Sequence, residues 1–408
     1  MDDTGAGLTT DLTHYAALDA RLLHAVRDIN VLAAVAWPAA CERQFLADLA
    51  RGRERLPQVA YAVHDLSAQR AELDAIAHAA DATHPLGDYI VRSARSWHVA
   101  ATMLESVGGA GVTAHSIELY GRPGDALPGS TQTNLDAADY FLEIAEELGD
   151  GLAADEGGYC IPAQTLCGEV QHEVDAFFGA GVVKVEVDPE LTAKAAAGAT
   201  RIRLRASTSF SEYDRSQLLA HEAFVHTLTA LNGRAQPVLK SLSRTSPRVT
   251  ATQEGIAVFA ELMSGSIDIA RLKRISLRIL AIDRALAGAD FIEVFRFFRK
   301  HGQGEADSFG SAQRVFRGVP LTGGAAFTKD NVYLAGLLTV HTFFRWAFKR
   351  RRLDLLRNLF AGKFALEDVI RLRPCFADGS VAPPKYVPPW VRSAPGLAGK
   401  LAFSLFAN

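Results

Sequence analysis

Cysteine is scarce in this chain of 408 residues, and its spacing excludes the common cysteine-based sites. The four cysteines form no Cys-x-x-Cys motif: Cys41, Cys160, Cys167 and Cys375. Disulfide scaffolds are short and dense in cysteine, and thiolate zinc sites use short paired spacings. The sequence therefore predicts isolated reduced thiols of an intracellular protein.

The chain also lacks a large net charge and a long apolar run, and its first residues do not suggest a signal peptide. Its formal net charge of −3 makes no case for binding nucleic acid or a membrane surface. The longest apolar stretch, residues 334–348, is interrupted by His341 and Arg345 and is too short to span a bilayer. Residues 1–5 lack the basic-then-apolar layout of a signal peptide. We therefore predict a cytoplasmic protein.

Helices and strands are both predicted, with helices in the majority. Apolar residues recur at helical spacing through residues 14–107, and a further helix is predicted at 134–148. Residues 182–187 and 201–205 alternate with period two and predict two strands, with a helix at 189–196 between them. The predicted fold class is α+β, predominantly helical, with a short sheet before residue 211.

The chain is long enough for one or two domains with a large core, because 49% of its residues are hydrophobic. Glycine and proline concentrate in residues 108–130, the best candidate for a boundary. We predict an N-terminal helical region at 1–130 and a core at 131–380. A C-terminal tail follows at 381–408, and its proline-rich part, 381–390, is expected to be extended.

A histidine and glutamate motif indicates a metal site. Residues 221–226 read His-Glu-Ala-Phe-Val-His, and Glu254 follows His226 by 28 positions. Two imidazoles and a carboxylate suit zinc and leave a fourth position for water. Glu222 would then accept a proton from that water. His221, His226 and Glu254 are therefore candidate ligands of one zinc ion per chain.

The spacing of the two histidines requires an unusual helix. Positions five apart lie roughly 140° apart on an ideal α-helix, too far round to share one ion. Either the helix carries a π-bulge, which is frequent at functional sites, or His221 and His226 do not form a metal site.

Two helix starts are predicted near these residues. Ser211 with Asp214 resembles a capping box that opens the helix of the histidines. Thr250 with Gln253 offers a second start just before Glu254.

Two other acidic positions need an interpretation. Glu261 competes with Glu254 as third ligand, since both could lie on one helix, but a supporting or charge-pairing role is favoured. The only other His-Glu pair, His172-Glu173, has no histidine five residues later and is expected on an exposed helix.

Several segments together resemble one known family. They comprise the histidine motif and its approach, the Gln-Glu-Gly segment, and four others: residues 209–226, 252–261, 118–121, 232–237, 324–333 and 367–374. The chain resembles the bacterial proteins labelled by a flavohaemoglobin expression-modulating QEGLP motif. That family includes the microtubule-associated tyrosine carboxypeptidases, which are zinc enzymes with this histidine spacing. The resemblance spans residues 20–375.

The resemblance implies a zincin-like metallopeptidase core. Carried over by position, it implies His221, His226 and Glu254 as zinc ligands and Glu222 as the catalytic base. Ile256 departs from the family label, which has leucine there. Residues 223–225 also depart from relatives that often carry Ile-Gly-Thr, and the bulkier Phe224 bears on substrate preference more than on chemistry.

Three further residues are candidates for substrate binding. A carboxypeptidase needs a cation for the terminal carboxylate and a hydrogen-bond donor for the oxyanion. Lys329 or Arg317 would suit the first task, and the Tyr333 hydroxyl the second. The alternative is structural: Thr328 caps a helix and Asp330 lies in its first turn.

The sequence therefore predicts a zinc metallopeptidase, in particular a carboxypeptidase that acts on a peptide or protein C-terminus. Two alternatives stay open. One is a zinc amidase or esterase that acts on a small metabolite. The other is a zinc-bearing regulatory or binding protein with little turnover, although Glu222 favours an enzyme because a structural zinc site needs no free carboxylate beside the metal.

Overall fold

The computed structural model describes residues 4–152, 161–191 and 194–406. Twenty α-helices and five short strands lie within these ranges, together with a π-helix (Leu219–Thr227) and 3₁₀ turns. The helices are α1 Thr4–Ala25, α2 Val31–Ala34, α3 Ala39–Leu49, α4 Ser67–Ala79, α5 Pro85–Glu105, α6 Gly111–Tyr120, α7 Asn134–Leu152, α8 Ala163–Phe178, α9 Glu212–Leu218, α10 Leu228–Arg234, α11 Thr250–Ser264, α12 Ile269–Leu286, α13 Phe291–Lys300, α14 Glu305–Val315, α15 Asn331–Lys349, α16 Leu353–Asn358, α17 Leu366–Arg371, α18 Arg373–Asp378, α19 Pro389–Arg392 and α20 Ala394–Phe406. The strands are β1 Ile161–Pro162, β2 Lys184–Asp188, β3 Ala195–Ala197, β4 Arg201–Arg205 and β5 Ser209–Phe210.

The predominantly helical α+β class is confirmed. Helices α1, α4 and α5 pack on one another at the N-terminal end, and α7 forms at the predicted place and packs along α12. Helix α5 begins at Pro85, whose missing N–H costs nothing in a first helical turn. Many apolar side chains of α5 are buried because they recur on the face that meets the core.

The N-terminal helices share buried hydrogen bonds with the later part of the chain. The Tyr89 hydroxyl of α5 lies 3.2 Å from the Ser241 hydroxyl. The Ser116 hydroxyl of α6 receives a hydrogen bond from the Thr328 backbone N–H at 2.7 Å. Predicted boundaries at residues 130 and 380 stay predictions.

The sheet before the metal-motif helix has three strands in the order β2-β4-β3. The two predicted strands are confirmed, and β2 and β4 run parallel. The helix predicted at residues 189–196 is wrong where the chain is described: Pro189 and Glu190 form a turn, and β3 pairs antiparallel with β4. Residues 192–193 of that span lie outside the described residues. Alanine favours helices intrinsically, but pairing with β4 outweighs that preference here.

Helices α11 and α15 form the closest helix pair of the core. Gly255 of α11 faces Gly336 of α15, and a methyl group at either position would overlap the backbone of the other helix. Helix α11 begins at Thr250, close to the predicted start, but the predicted Thr250 cap is wrong. A 3₁₀ turn, Pro247–Val249, runs directly into the helix, and the Thr250 hydroxyl donates to Ser246 instead.

Two buried amide side chains, one in α10 and one just after it, hold the C-terminal segment in place. Asn232 donates to the carbonyls of Phe360 and Tyr386 and accepts from the Tyr386 N–H. Gln236 bonds Ala361 and Ala382 in the same way. The chain has neither helix nor strand from residue 381 to 388, as expected for an extended segment, and α19 and α20 then follow.

Two of the compositional predictions can be compared with the structure. Cys41, Cys167 and Cys375 are free thiols, and Cys160 lies outside the described residues. Among the described helices, none combines the length and apolar character needed to cross a membrane.

Candidate metal centre

The π-helix brings the two histidines of the motif together. Ser211 and Asp214 form the predicted capping box at the start of α9, which continues into the π-helix without a break. Backbone bonds in a π-helix close i to i+5, so residues five apart lie one above the other. The rings of His221 and His226 are accordingly only 4.9 Å apart between centroids. Of the two possibilities left open by the spacing, the π-bulge is confirmed.

Helix α11 brings the carboxylate to these imidazoles. Glu254 Oε2 lies 3.6 Å from Nε2 of His221 and 3.6 Å from Nε2 of His226. The three ligand atoms lie within 4.8 Å of one another, and this is the one such cluster of at least three metal-binding side chains in the described part of the chain. The sequence named the same three residues.

These atoms fit a zinc ion by distance and by donor type. Tetrahedral zinc with bonds of roughly 2.0–2.2 Å separates its ligand atoms by about 3.3–3.6 Å. The two measured Nε2–Oε2 separations agree with that range. Three protein ligands leave the fourth tetrahedral position of zinc for a water or a substrate oxygen.

Glu261 supports His221 from the opposite side. Its Oε1 lies 2.7 Å from His221 Nδ1, so Nδ1 donates to Glu261 and Nε2 is the nitrogen that faces Glu254 and would bind a cation. Arg271 donates to both oxygens of Glu261, at 3.2 Å each, and so holds the carboxylate in place. The supporting role favoured for Glu261 is confirmed, whereas Arg271 was not anticipated.

The electrostatics of the cluster favour positive charge between its ligand atoms. Burial opposes protonation of His221, but hydrogen bonds to Glu254 and Glu261 prevail and raise its pKa well above the usual value. Burial likewise disfavours the ionised form of Glu254, but the Lys329 charge and both imidazoles hold its pKa well below the usual value. Burial lowers the pKa of His226. A metal cation would lie among a carboxylate and two imidazole lone pairs.

Lys329 is hydrogen-bonded to a residue of the cluster. Its Nζ donates to Glu254 Oε1 at 3.1 Å, and it lies 5.3 Å from the centre of the Tyr333 ring. This bond occupies one oxygen of Glu254 and turns the other toward the imidazoles. Lys329 therefore sits where the sequence placed it, near the site, but it contacts a ligand carboxylate.

Tyr333 and Arg317 lie near Arg314 and Asp330. Arg314 holds Asp330 through two hydrogen bonds of 2.5 and 2.7 Å. Burial and the neighbouring Arg314 lower the pKa of Arg317 to about 10, and its Nε has no hydrogen-bond partner. Asp330 is thus tied to Arg314, and Thr328 forms no helix cap, its hydroxyl lying 3.0 Å from the Ser116 hydroxyl.

Glu222 projects from the π-helix next to His221 and is half-buried. Among the described residues it forms no ion pair and no side-chain hydrogen bond. Phe224, two residues further along, packs against Phe177 of α8 with ring centres 4.8 Å apart. A free carboxylate beside a three-ligand cluster is the arrangement that water activation requires.

The protein-family comparison covers most of the chain. Residues 43–408 match the model of the microtubule-associated tyrosine carboxypeptidases. The chain belongs to this family. No curated protein matches it.

Membership of the microtubule-associated tyrosine carboxypeptidase family indicates a carboxypeptidase-type hydrolase that takes a peptide or protein substrate. The match includes every residue of the cluster and continues through the C-terminal segment that Asn232 and Gln236 fasten. Apolar residues next to the motif residues, such as Ala223, Val225 and Ile256, belong to one continuous hydrophobic core.

Besides Arg271, a second residue near the centre was not anticipated. Lys363, in a buried turn after α16, places its Nζ 3.4 Å from Oε1 of Gln253, the neighbour of Glu254 in the chain. Burial lowers its pKa to about 8, opposed by the charges of Glu254 and Glu222. Its one sequence signal is a single charge in the apolar run of residues 359–366.

Proposed function

We propose that this protein is a zinc-dependent carboxypeptidase with a zincin-like core. The convergence of His221, His226 and Glu254 beside the free carboxylate of Glu222 carries the proposal, and family membership supports the peptide substrate. One zinc ion per chain would be held by the two imidazole Nε2 atoms and Glu254 Oε2. When bound, zinc supplies a Lewis acid that polarises a carbonyl group and acidifies water.

The protein's own groups then perform the proton transfers. Glu222 accepts a proton from the water that attacks the scissile carbonyl carbon, and the oxygen–carbon bond forms. The carbon–nitrogen bond breaks as Glu222 returns that proton to the leaving nitrogen. Because Glu222 has no partner to compete for its oxygens among the described residues, it is free for both transfers.

The surrounding residues keep the ligands in place. Glu261 fixes the His221 ring through Nδ1, and Lys329 fixes Glu254 through Oε1. We assign Lys329 this positioning role on the basis of that bond. The Tyr333 hydroxyl as donor to the oxyanion and Arg317 as a carboxylate-binding residue stay predictions.

The decisive experiment compares Glu222→Gln with the parent protein. Both are loaded with zinc and incubated with peptides that differ in the C-terminal residue, and products are identified by mass spectrometry. Glu222→Gln should keep one zinc per chain and the parent melting temperature. It should lose turnover by several orders of magnitude, since the base is removed while the ligands remain.

The matched control is Glu173→Gln, which changes the same residue type in the other His-Glu pair, on the exposed face of α8. It should retain full activity. Parent-like turnover in Glu222→Gln would show that the base is wrongly assigned. Hydrolysis of small amides or esters with no peptide cleavage would favour the amidase alternative. Zinc binding without any hydrolysis would favour a regulatory protein.

A further inference from the structure

Lys363 is a buried cation without an anionic partner at salt-bridge distance among the described residues. Only 6% of its surface is exposed, and its one side-chain hydrogen bond is the 3.4 Å contact with the neutral amide of Gln253. Burying an ammonium group is costly unless it is paired. Lys329, the other buried lysine at the centre, differs because it is paired with Glu254. Of these two lysines, Lys363 is the one whose charge is not neutralised by an adjacent carboxylate, so it is available to bind an anionic ligand.

The turn that carries Lys363 is held rigidly at the metal-motif helix. Asn232 of α10 and Gln236, just after α10, donate to the carbonyls of Phe360 and Ala361, at 2.7 and 2.8 Å. The Lys363 backbone N–H donates to Leu242 at 2.7 Å. The backbone of this turn is therefore fixed by the helical segment that continues from the π-helix of His226, which reduces the entropy lost when Lys363 binds a ligand.

Lys363 approaches the centre beside Gln253, the chain neighbour of the proposed ligand Glu254. Its charge interacts with Glu222 as well as Glu254. The neighbours of Lys329 are instead Tyr333, Glu254 and Asp330, and those of Arg317 include Arg314 and Asp330. For Lys363, Glu222 is among the charges with the largest influence.

Peptide geometry indicates where a cation that binds the terminal carboxylate must lie. Glu222 must deliver a proton to the leaving nitrogen, and the terminal carboxylate carbon lies two bonds, roughly 2.5 Å, from that nitrogen. A cation that binds the terminal carboxylate must therefore lie near both the base and the ligand cluster. We propose that Lys363 binds the terminal carboxylate of the peptide substrate. This inference rests on the proposed carboxypeptidase function.

The test is a cycle of two changes, one in the protein and one in the peptide. Zinc-loaded parent, Lys363→Met and Lys363→Arg are assayed with the best peptide of the library as free acid and as C-terminal amide. In the parent, amidation should raise KM about 10- to 100-fold. Lys363→Met should raise KM for the free acid by a similar factor and abolish the effect of amidation, because both changes remove one interaction. Lys363→Arg should restore part of the discrimination.

Lys329→Met is the matched control, a second buried lysine at the same centre. It should lower zinc affinity through Glu254 and leave the ratio between free acid and amide near the parent value. An unchanged ratio in Lys363→Met, with normal zinc content, would overturn the assignment. If discrimination between free acid and amide disappears in Lys329→Met but persists in Lys363→Met, the carboxylate-binding residue is Lys329.

Binding measurements separate this inference from the proposed function. Glu222→Gln, loaded with zinc, is titrated with both peptides by calorimetry, with and without Lys363→Met. If the parent hydrolyses no peptide but free-acid binding depends on Lys363, the hydrolase proposal fails and the carboxylate site stands. If binding ignores Lys363, the site fails.

Should Lys363→Met not fold, lysine Nζ resonances of Glu222→Gln give the readout by NMR. The free acid, but not the amide, should shift the resonance that Lys363→Arg lacks. No shift would overturn the inference.

Discussion

At the scale of single residues, the second carboxylate of α11 controls how His221 presents its lone pair. Glu261 is fully buried and bonds both His221 Nδ1 and Arg271. Its negative charge makes the imidazole a better ligand and prevents rotation of the ring. The centre therefore depends on a residue that contacts no substrate.

We expect Glu261→Gln to lower zinc affinity about 10-fold, toward the lower end of the usual range for such supporting groups. The amide keeps the size of the side chain but loses the charge that pairs with Arg271 and polarises His221. Competition with a fluorescent chelator measures the affinity. Glu173→Gln should bind zinc like the parent, and equal affinities for all three proteins would mean that Glu261 has no influence on the ligand.

The residues of the centre differ in how far sequence could predict them. His221, His226 and Glu254 could be named because metal binding restricts residue type and spacing. Lys363 could not, because a lone lysine carries no such restriction and its approach to Gln253 depends on the folded turn. The ion pair of Lys329 with Glu254 could also be recognised only from the structure, because the sequence indicated Lys329 as a candidate residue but did not indicate its partner.

At the scale of elements, the contact between α11 and α15 determines where Glu254 lies relative to Lys329. The two helices approach through Gly255 and Gly336, with no space for a side chain on either. The glycine after Glu254 in the motif therefore has a packing reason. Sequence analysis predicted helices here but not their close approach, because glycine in a helix pattern does not reveal its neighbour.

We expect Gly255→Ala to reduce the free energy of unfolding by about 1–3 kcal/mol or more, since the added methyl group forces the helices apart. Zinc affinity should fall as well, because Glu254 moves with α11. Urea unfolding and chelator competition measure the two effects.

Gly310→Ala in α14 is the control, as nothing lies within 4 Å of the added carbon atom. It should be neutral or stabilise by roughly 0.5–1 kcal/mol, because alanine favours the helix. A Gly255→Ala protein as stable as Gly310→Ala would contradict the close packing of α11 and α15.

At the scale of the whole molecule, the N-terminal helices join the core through a buried carboxylate. Asp19 of α1 is only 1% exposed and accepts hydrogen bonds from the backbone N–H of Ser241, at 2.9 Å, and from its hydroxyl. Burial raises the pKa of Asp19 to about 6, although both bonds with Ser241 and the charge of Lys240 act the other way. Sequence showed the helix of Asp19 but not this partner, 222 positions away.

This carboxylate makes stability depend on pH. The folded pKa of Asp19, about 6, exceeds its ordinary value of 3.8, so the folded protein holds the proton more tightly than the unfolded chain. The stabilisation is complete below pH ~4 and is lost as pH rises through about 6. The difference in unfolding free energy between the parent and Asp19→Asn should therefore change by about 2 kcal/mol between pH 4.5 and 7.5, in favour of the variant at high pH.

Urea unfolding at the two pH values measures this difference. Asp28→Asn, with a side chain that is 71% exposed in the parent, is the control and should show the same offset from the parent at both pH values. An Asp19→Asn offset that does not vary with pH would mean that Asp19 titrates normally in the folded protein.

The π-helix Leu219–Thr227 has a further consequence, which concerns the phase of the chain on either side of it. One extra residue in a helix delays every later side chain by about 100° in an ordinary helical projection. The wider π-helical turn accommodates the extra residue. The faces of α9 and α10 are therefore oriented as they would be in one continuous α-helix from which a single residue had been removed. One α-helical periodicity of buried and exposed residues therefore cannot fit both α9 and α10 across residues 212–234. The position at which the periodicity shifts is the π-helix, where the two imidazoles come together.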